Sequence, residues 1–312
     1  MSVSQGDVRA DGEPARDDGG DGLGRPGYAR TRPGEGAAMP AMTDYLPGTP
    51  CWVDLSTDEP GKSIDYYTQL MNWACFTAPG PGGEAGGEGQ GGTFFAPAGT
   101  SPAGISASVV AGLAATGGGT GAGWNTYVSV TDADATAGLV EGAGGAVLVP
   151  PSDVGGQGRV AMFADDQGAL IGAWQPAAFR GAGQVNEPGS FCWSELACRD
   201  PAAAARFYGR VFGWEPTTSQ LGPMTYSEWR LSGYPVAGMV HMDENWPPGI
   251  SPHWAVYFGV EDCDGAAARA AELGGLVAVP PTDVPAGRIA VLTDPQGVTF
   301  TIMRLGMASP AS

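Results

Sequence analysis

The chain states nearly the same sequence twice. Gly48-Thr49-Pro50-Cys51-Trp52 returns as Gly189-Ser190-Phe191-Cys192-Trp193, and in the same register Tyr66-Tyr67 returns as Phe207-Tyr208 and Trp73 as Trp214. Further on, Val149-Pro150-Pro151-Ser152-Asp153-Val154 returns as Val279-Pro280-Pro281-Thr282-Asp283-Val284. An Arg follows each (Arg159, Arg288), and then an Asp-x-Gln-Gly tetrad, Asp165 to Gly168 and Asp294 to Gly297. Two matches in one order, far apart, mean tandem duplication of a whole domain, because a solenoid would repeat every ~20–50 residues. Any fold must therefore be built from roughly 120 residues, enough for a proper core, and must be used twice. Each candidate site residue can also be compared with its own counterpart.

The rest of the composition narrows the class. Residues 1–45 are rich in Gly, Asp, Arg and Pro, with few large apolar side chains, and are expected to be disordered. Met39 or Met42 would serve equally well as a start. Two domains are expected, at 48–176 and 188–306. Residues 79–92 read as a loose hairpin loop, Gly112 to Gly123 as a linker between half-domains, and 176–188 as the connection between copies. A net charge of −18 leaves no basic patch for nucleic acid. No apolar run is long enough to span a membrane, and no secretory signal is visible, so a cytoplasmic protein is expected. The five cysteines show no Cys-x-x-Cys pair; Cys51 and Cys192 read as small buried hydrophobes in a reduced chain.

Periodicity gives each copy the order strand, helix, strands, and then the same again. Trp52 to Ser56 alternates, and Pro60 to Met71 has helical spacing. Asp200-Pro201 supplies an N-cap and an N1 proline for the helix that stops at Gly213. The second halves run Tyr127–Val130, Ala133–Gly142, Ala146–Val149, Arg159–Phe163 and Ala169–Trp174. Their counterparts are Trp254–Val260, Cys263–Leu273, Val277–Val279, Ile289–Leu292 and Thr299–Met303. Strand parity places Trp52, Asp54, Ser56, Asn125, Tyr127 and Ser129 on one face in copy one. In copy two the same face carries Trp193, Glu195, Ala197, His253, Ala255 and Tyr257. The other face is apolar (Val53, Leu55, Val128, Val130; Leu196, Val256, Phe258, Val260) and is expected to pack under the helices.

These features carry a resemblance. The strand-Asp-x-x-x-Ala-x-x-Phe-Tyr opening of Trp193 to Tyr208, the Val-x-Asp-x-Asp turns at Val130 and Val260, the Gly-Gly helix ends and the Asp-x-Gln-Gly hairpins resemble the vicinal-oxygen-chelate superfamily of glyoxalases, bleomycin-resistance proteins and extradiol dioxygenases. The likeness spans residues 48–305 and is closest to an actinobacterial tandem-domain branch labelled glyoxalase-like or hydroxylase-like. It implies an α+β fold of two tandem domains, each a pair of βαβββ units forming an incomplete barrel, with helices covering the outer sheet faces.

The resemblance also implies a divalent metal held by two His and a Glu at the mouth of a cup. Alignment puts those positions at Trp52, Asn125 and Gly172, and at Trp193, Ala255 and Thr301. None is a usual ligand for such a metal, so no cofactor is expected. Each cup instead pairs an indole with a carboxylate and a tyrosine, the composition of a small-molecule site. Trp52 and Trp193 are either ligand platforms or core residues. Asp54 and Glu195 are either acid/base groups or partners of Arg159 and Arg288. His253 is a proton shuttle or a surface cap. Glu195, His253 and Tyr257 are the candidate catalytic group, and Trp193, Trp52, Asp54, Asn125 and Tyr127 the candidate binding group.

Three functions follow as expectations. The first is a metal-independent protein of secondary metabolism, in antibiotic biosynthesis or resistance, that binds and modifies an aromatic or polycyclic natural product, including planar cations. The second is a metal-dependent lyase, isomerase or oxygenase with an irregular site from Glu195, His253 and His241. The third is a scaffold with empty cups. The chain would act as a monomer with paired domains or as a homodimer.

Overall fold

A computed structural model describes residues 44–77, 92–100, 108–116, 121–221 and 224–306. All of the expected loop at 79–92 except Gly92, and most of 1–45, lie outside them, but Tyr45 is described and buried, so the N-terminal segment joins the fold earlier than its composition suggests.

Copy one forms one sheet from β1 (Pro50–Thr57), β2 (Trp73–Thr77), β3 (Thr93–Pro97), β4 (Ala111–Ala115), β5 (Gly123–Ser129), β6 (Ala146–Val154), β7 (Gly158–Ala164) and β8 (Leu170–Pro176). Its helices are α1 (Pro60–Met71) and α2 (Ala133–Gly142). Copy two repeats this with β9 (Phe191–Cys198), β10 (Glu215–Leu221), β11 (Met224–Leu231), β12 (Tyr234–His241), β13 (His253–Gly259), β14 (Leu276–Val284), β15 (Gly287–Thr293) and β16 (Thr299–Leu305). Its helices are α3 (Pro201–Phe212) and α4 (Cys263–Glu272). The strand orders are β2-β3-β4-β1-β5-β8-β7-β6 and β10-β11-β12-β9-β13-β16-β15-β14, identical in plan and unclosed. Each is two βαβββ units joined through the antiparallel pair β1/β5 or β9/β13. This is the expected α+β fold of two tandem domains, with incomplete barrels.

Local chemistry sets the element ends. Asp200 caps α3 by accepting from the amides of Ala202 and Ala203, and Gly213 ends it in the left-handed region. Asn72 takes that same conformation at the end of α1. The stretch read as a linker from Gly112 is instead strand β4, hydrogen-bonded in parallel to β1. Its small residues have a packing reason. A Cβ on Gly112 would lie 2.9 Å from the indole of Trp52, and Gly238 on β12 has the same relation to Trp193.

The helices do cover the apolar sheet faces, but each core is shared by both copies. One core joins Tyr66, Tyr67 and Met71 of α1 and Val53 and Leu55 of β1 to Val256, Phe258, Phe300, Ile302 and the α4 residues Cys263 and Ala267. The other joins Val128, Val130, Phe163 and Ile171 to Leu196, Phe207, Tyr208, Trp214 and Trp229. The expectation that each copy buries a core of its own is therefore corrected. A βαβββ unit leaves one apolar face bare, and here that face closes on a unit from the other copy.

Polar contacts run reciprocally across this seam. Tyr67 donates to Asp294 (3.1 Å) and Tyr208 to Asp165 (2.9 Å). The indoles of Trp124 and Trp254 donate to those same tyrosine oxygens. Trp73 and Trp214 donate to Gly189 and Gly48 carbonyls of the opposite copy. The Asp-x-Gln-Gly motifs are thus more than hairpins: Asp165 and Asp294 accept from two amides of their own turn and clasp a tyrosine of the other copy. At the centre Thr126 and Ser194, both fully buried, share a 2.8 Å hydrogen bond.

Candidate functional site

The faces away from the helices form the two cups. In copy two the register sets Tyr257 opposite Trp193, Ala255 opposite Glu195 and His253 opposite Ala197. On the other side of β9, Gly238 faces Glu195, and Glu228 of β11 faces Gly238. Parity therefore turns Tyr226 into the same cup.

Glu195 is the hub. Tyr257 donates to its Oε1 at 2.8 Å, and Tyr226 also hydrogen-bonds the carboxyl. Trp193 Nε1 donates to the Tyr226 oxygen at 3.0 Å, completing a chain from indole to phenol to carboxyl to phenol. Glu195 is enclosed by protein, although the residue keeps some contact with solvent. Burial pushes its pKa above the usual carboxylate range, against the opposing pull of the two phenols and of His253. Burial and the neighbouring Glu195 push both tyrosines well above 10. Trp193 is partly buried against Cys192, Tyr257 and Met303, whereas its counterpart Trp52 is almost wholly covered.

His253 stands at the rim. Its Nδ1 lies 2.9 Å from the Ser251 carbonyl, which requires the proton on that nitrogen, and the Trp246 ring is 6.4 Å away. The site sequence reasoning missed is Tyr226. Alternation along Tyr226, Glu228 and Arg230 against Trp229 was the available signal.

Copy one holds its carboxylate similarly. Asp54 accepts from Asn125 and from Tyr127, each at 2.9 Å, and burial raises its pKa. Trp52, however, is only 6% exposed. Phe179, from the segment read as a mere connection, stands edge-on to it at 4.9 Å, and Phe94 lies at 6.1 Å. Trp174 Nε1 donates to the Phe179 carbonyl, and Tyr45 OH to that of Ala182. Register puts Gly92 where copy two has Tyr226, and Phe94 where it has Glu228.

The pairing of Asp54 and Glu195 with Arg159 and Arg288 is not formed. Arg159 binds Asp134 and Asp153, and Arg288 binds Asp264 and Asp283, all on exposed ground. Cys51 and Cys192 are buried, and burial pushes the Cys192 thiol up to about 12, which leaves it no nucleophile near neutrality.

The metal positions carry the wrong chemistry. A Cβ on Gly172 would collide with the ring of Tyr127, so the space for a ligand side chain there is filled by a phenol. Thr301 is buried opposite Tyr257. His241, three residues along β12 from the partner of Glu195, falls on the opposite sheet face and does not join Glu195 and His253. Among the described residues no three His, Cys, Asp or Glu side chains converge. The residues present do not fit the superfamily's metal.

Two incomplete βαβββ barrels, each with an indole, a carboxyl and a phenol on its concave face, define the protein's class. The chain belongs to the Glyoxalase/Bleomycin resistance protein/Dioxygenase superfamily, whose profile matches residues 51–172 and 190–302. It is 37% identical over 278 residues to the anthracycline biosynthesis protein DnrV of Streptomyces peucetius, covering 87% of this chain and 98% of that one. It is also 37% identical over 272 residues to CFP32 of Mycobacterium tuberculosis (strain CDC 1551 / Oshkosh), whose name contains the word glyoxylase, covering 85% and 98%. The fold is shared with 2,2',3-trihydroxybiphenyl 1,2-dioxygenase from Sphingomonas wittichii strain RW1, at a TM-score of 0.54 and 13% identity over 84% of this chain and 92% of that one. Among the described residues no helix is long and apolar enough to cross a membrane.

Proposed function

We propose that this chain is a cytoplasmic protein of secondary metabolism that binds an aromatic or polycyclic natural product in the cup of copy two, and modifies it without the superfamily's divalent metal. The observation that carries this reading is the hydrogen-bonded chain Trp193–Tyr226–Glu195–Tyr257, which starts from a partly buried indole. It joins an apolar platform to a carboxyl whose proton affinity burial has raised, the pairing that acid/base chemistry on an aromatic substrate requires. The relative DnrV, named for anthracycline biosynthesis, supports a polycyclic ligand. Glu195 and Tyr257 would exchange and place the proton, with His253 at the mouth as the relay to solvent. Trp52, Asp54, Asn125 and Tyr127 would bind or stabilise in copy one. The chain would work as a monomer through its paired copies.

Two measurements test this. Titration of polycyclic aromatic ligands by calorimetry should give one site per chain, and Trp193→Ala should weaken it by about 1–3 kcal/mol. An unchanged affinity would place the ligand elsewhere. Elemental analysis of purified protein should find far less than one divalent metal per chain. Stoichiometric Fe, Mn, Ni or Zn that disappears in Glu195→Ala would instead establish the metal-dependent reading.

A further inference from the structure

One end of the copy-two cup is bounded by residues 242–252, which run from the end of β12 to the start of β13. Backbone hydrogen bonds alone would leave this loop loose. Met242 N donates to the Cys198 carbonyl, and two turns close where Trp246 N donates to Asp243 and Ile250 N to Pro247. One side chain does most of the fixing. Arg199, the residue after β9, donates from Nη1 to the carbonyls of Met242 and Asp243 at 3.0 and 3.2 Å. From Nη2 it donates to those of Pro247 and Ile250 at 3.1 and 3.2 Å. These bonds engage both ends of the guanidinium fork, and only one loop conformation brings the four carbonyls to a planar group of that shape.

Copy one shows that joining these strands needs no such device. There β4 and β5 are connected by the shorter segment 116–122, which contains no aromatic residue. In the Trp52/Trp193 register the counterpart of Arg199 is Asp58, which accepts from the hydroxyl of Thr116. The longer loop of copy two carries one aromatic residue, Trp246. Its ring is half-buried and lies 6.4 Å from that of His253. His253 faces the cup from the position opposite Ala197, four residues along β9 from Trp193. That separation is about 13 Å at the rise of a strand. Glu195 lies midway along it, so the cup has an indole toward each end and the carboxyl between them.

We infer that Trp246, set in place by Arg199, is the far wall of the copy-two cup, and that the cup takes an elongated fused polycycle reaching from Trp193 to Trp246 over Glu195. A one- or two-ring compound reaches one wall and not the other. Trp246 is then the residue that selects for ligand length, and Arg199, which touches no ligand, is a positioning residue. This rests on the reading of that cup as the aromatic site and specifies the size of what it holds.

The test titrates the full chain with two neutral phenols that differ in length, 2-naphthol with two fused rings and 1-hydroxypyrene with four. 1-Hydroxypyrene should bind at least about tenfold tighter, a gap of about 1.4 kcal/mol. Trp246→Ala should weaken 1-hydroxypyrene about tenfold and 2-naphthol by less than about twofold, whereas Trp193→Ala should weaken both. Arg199→Ala should reproduce the Trp246→Ala pattern, and adding Trp246→Ala to it should change little further, because the ring has already lost its place. Arg199→Lys should not restore binding, since a compact ammonium cannot bridge four carbonyls. Circular-dichroism melts would confirm that each variant folds. If Trp246→Ala leaves 1-hydroxypyrene unchanged, or weakens both probes equally, while Trp193→Ala weakens both, the inference falls and the aromatic site stands. Losses in Arg199→Ala and Trp246→Ala that simply add would overturn the positioning role of Arg199. Binding of neither probe, or binding that Trp193→Ala does not alter, would sink the inference together with the aromatic-site reading.

Discussion

Expressed alone, neither residues 44–183 nor residues 184–306 should show a cooperative unfolding transition. Each copy owns a complete sheet, and pairing alone would let it stand. Its apolar face, however, is only half covered by its own helices and is completed by the other copy. Separation would uncover Tyr66, Tyr67 and Trp73 on one side and Phe258 and Phe300 on the other, each fully or nearly fully buried. At about 1.5–3 kcal/mol per large apolar side chain, losing several from each of two cores exceeds the about 5–15 kcal/mol that a domain has in total. Thermal melts and amide dispersion would check this. Co-expression of the two fragments should restore the transition. A single fragment that melts cooperatively would show that each copy keeps a core of its own.

Tyr208→Ala should cost about 3–5 kcal/mol, the scale for deleting a buried aromatic ring. Tyr208 is fully buried, stacks on Trp214 at 5.5 Å and meets Trp254 edge-on at 5.4 Å. Its oxygen accepts from Trp254 and donates to Asp165. Tyr208→Phe keeps the ring and isolates the polar part. It leaves Trp254 Nε1 and one oxygen of Asp165 without their partner, at a cost of about 1–3 kcal/mol. Urea denaturation with an unchanged m-value would separate the two contributions. A loss below about 1 kcal/mol in Tyr208→Ala would mean that the clasp across the seam is ornamental. Tyr67 holds the mirrored place, so changing both tyrosines should leave too little stability for the chain to fold.

The strands and helices of both second halves, and helix α3, were readable because their apolar residues alternate cleanly or their caps are explicit, as at Asp200-Pro201 and Gly213. The duplication then carried the fold from one half to the other. Strand β4 was hidden because its residues are small for the sake of Trp52, and a Gly-Ala run looks like a linker when the indole it accommodates is far away in sequence. The candidate residues Trp193, Glu195 and Tyr257 do meet on one face, since strand parity is a local property and the β9/β13 pairing joins two strands that the sequence already marked. Tyr226 was missed because its strand reaches Glu195 only through β12. Phe179 was missed because a connection between copies carries no periodicity. The role of Asp165 and Asp294 needed the seam itself, since nothing within one copy shows that a buried carboxylate will find its phenol in the other.

The reciprocal seam also has a consequence for descent. Contacts such as Tyr67 to Asp294 and Tyr208 to Asp165 are what two identical chains would make about a two-fold axis. Two identical chains must keep identical cups, because every substitution appears in both. Fusion into one gene removes that constraint while retaining the seam that makes each half dependent on the other. One cup could then surrender its opening to Phe179 while the other gained Tyr226. The inherited symmetry of the interface is the condition under which the concave faces became free to differ.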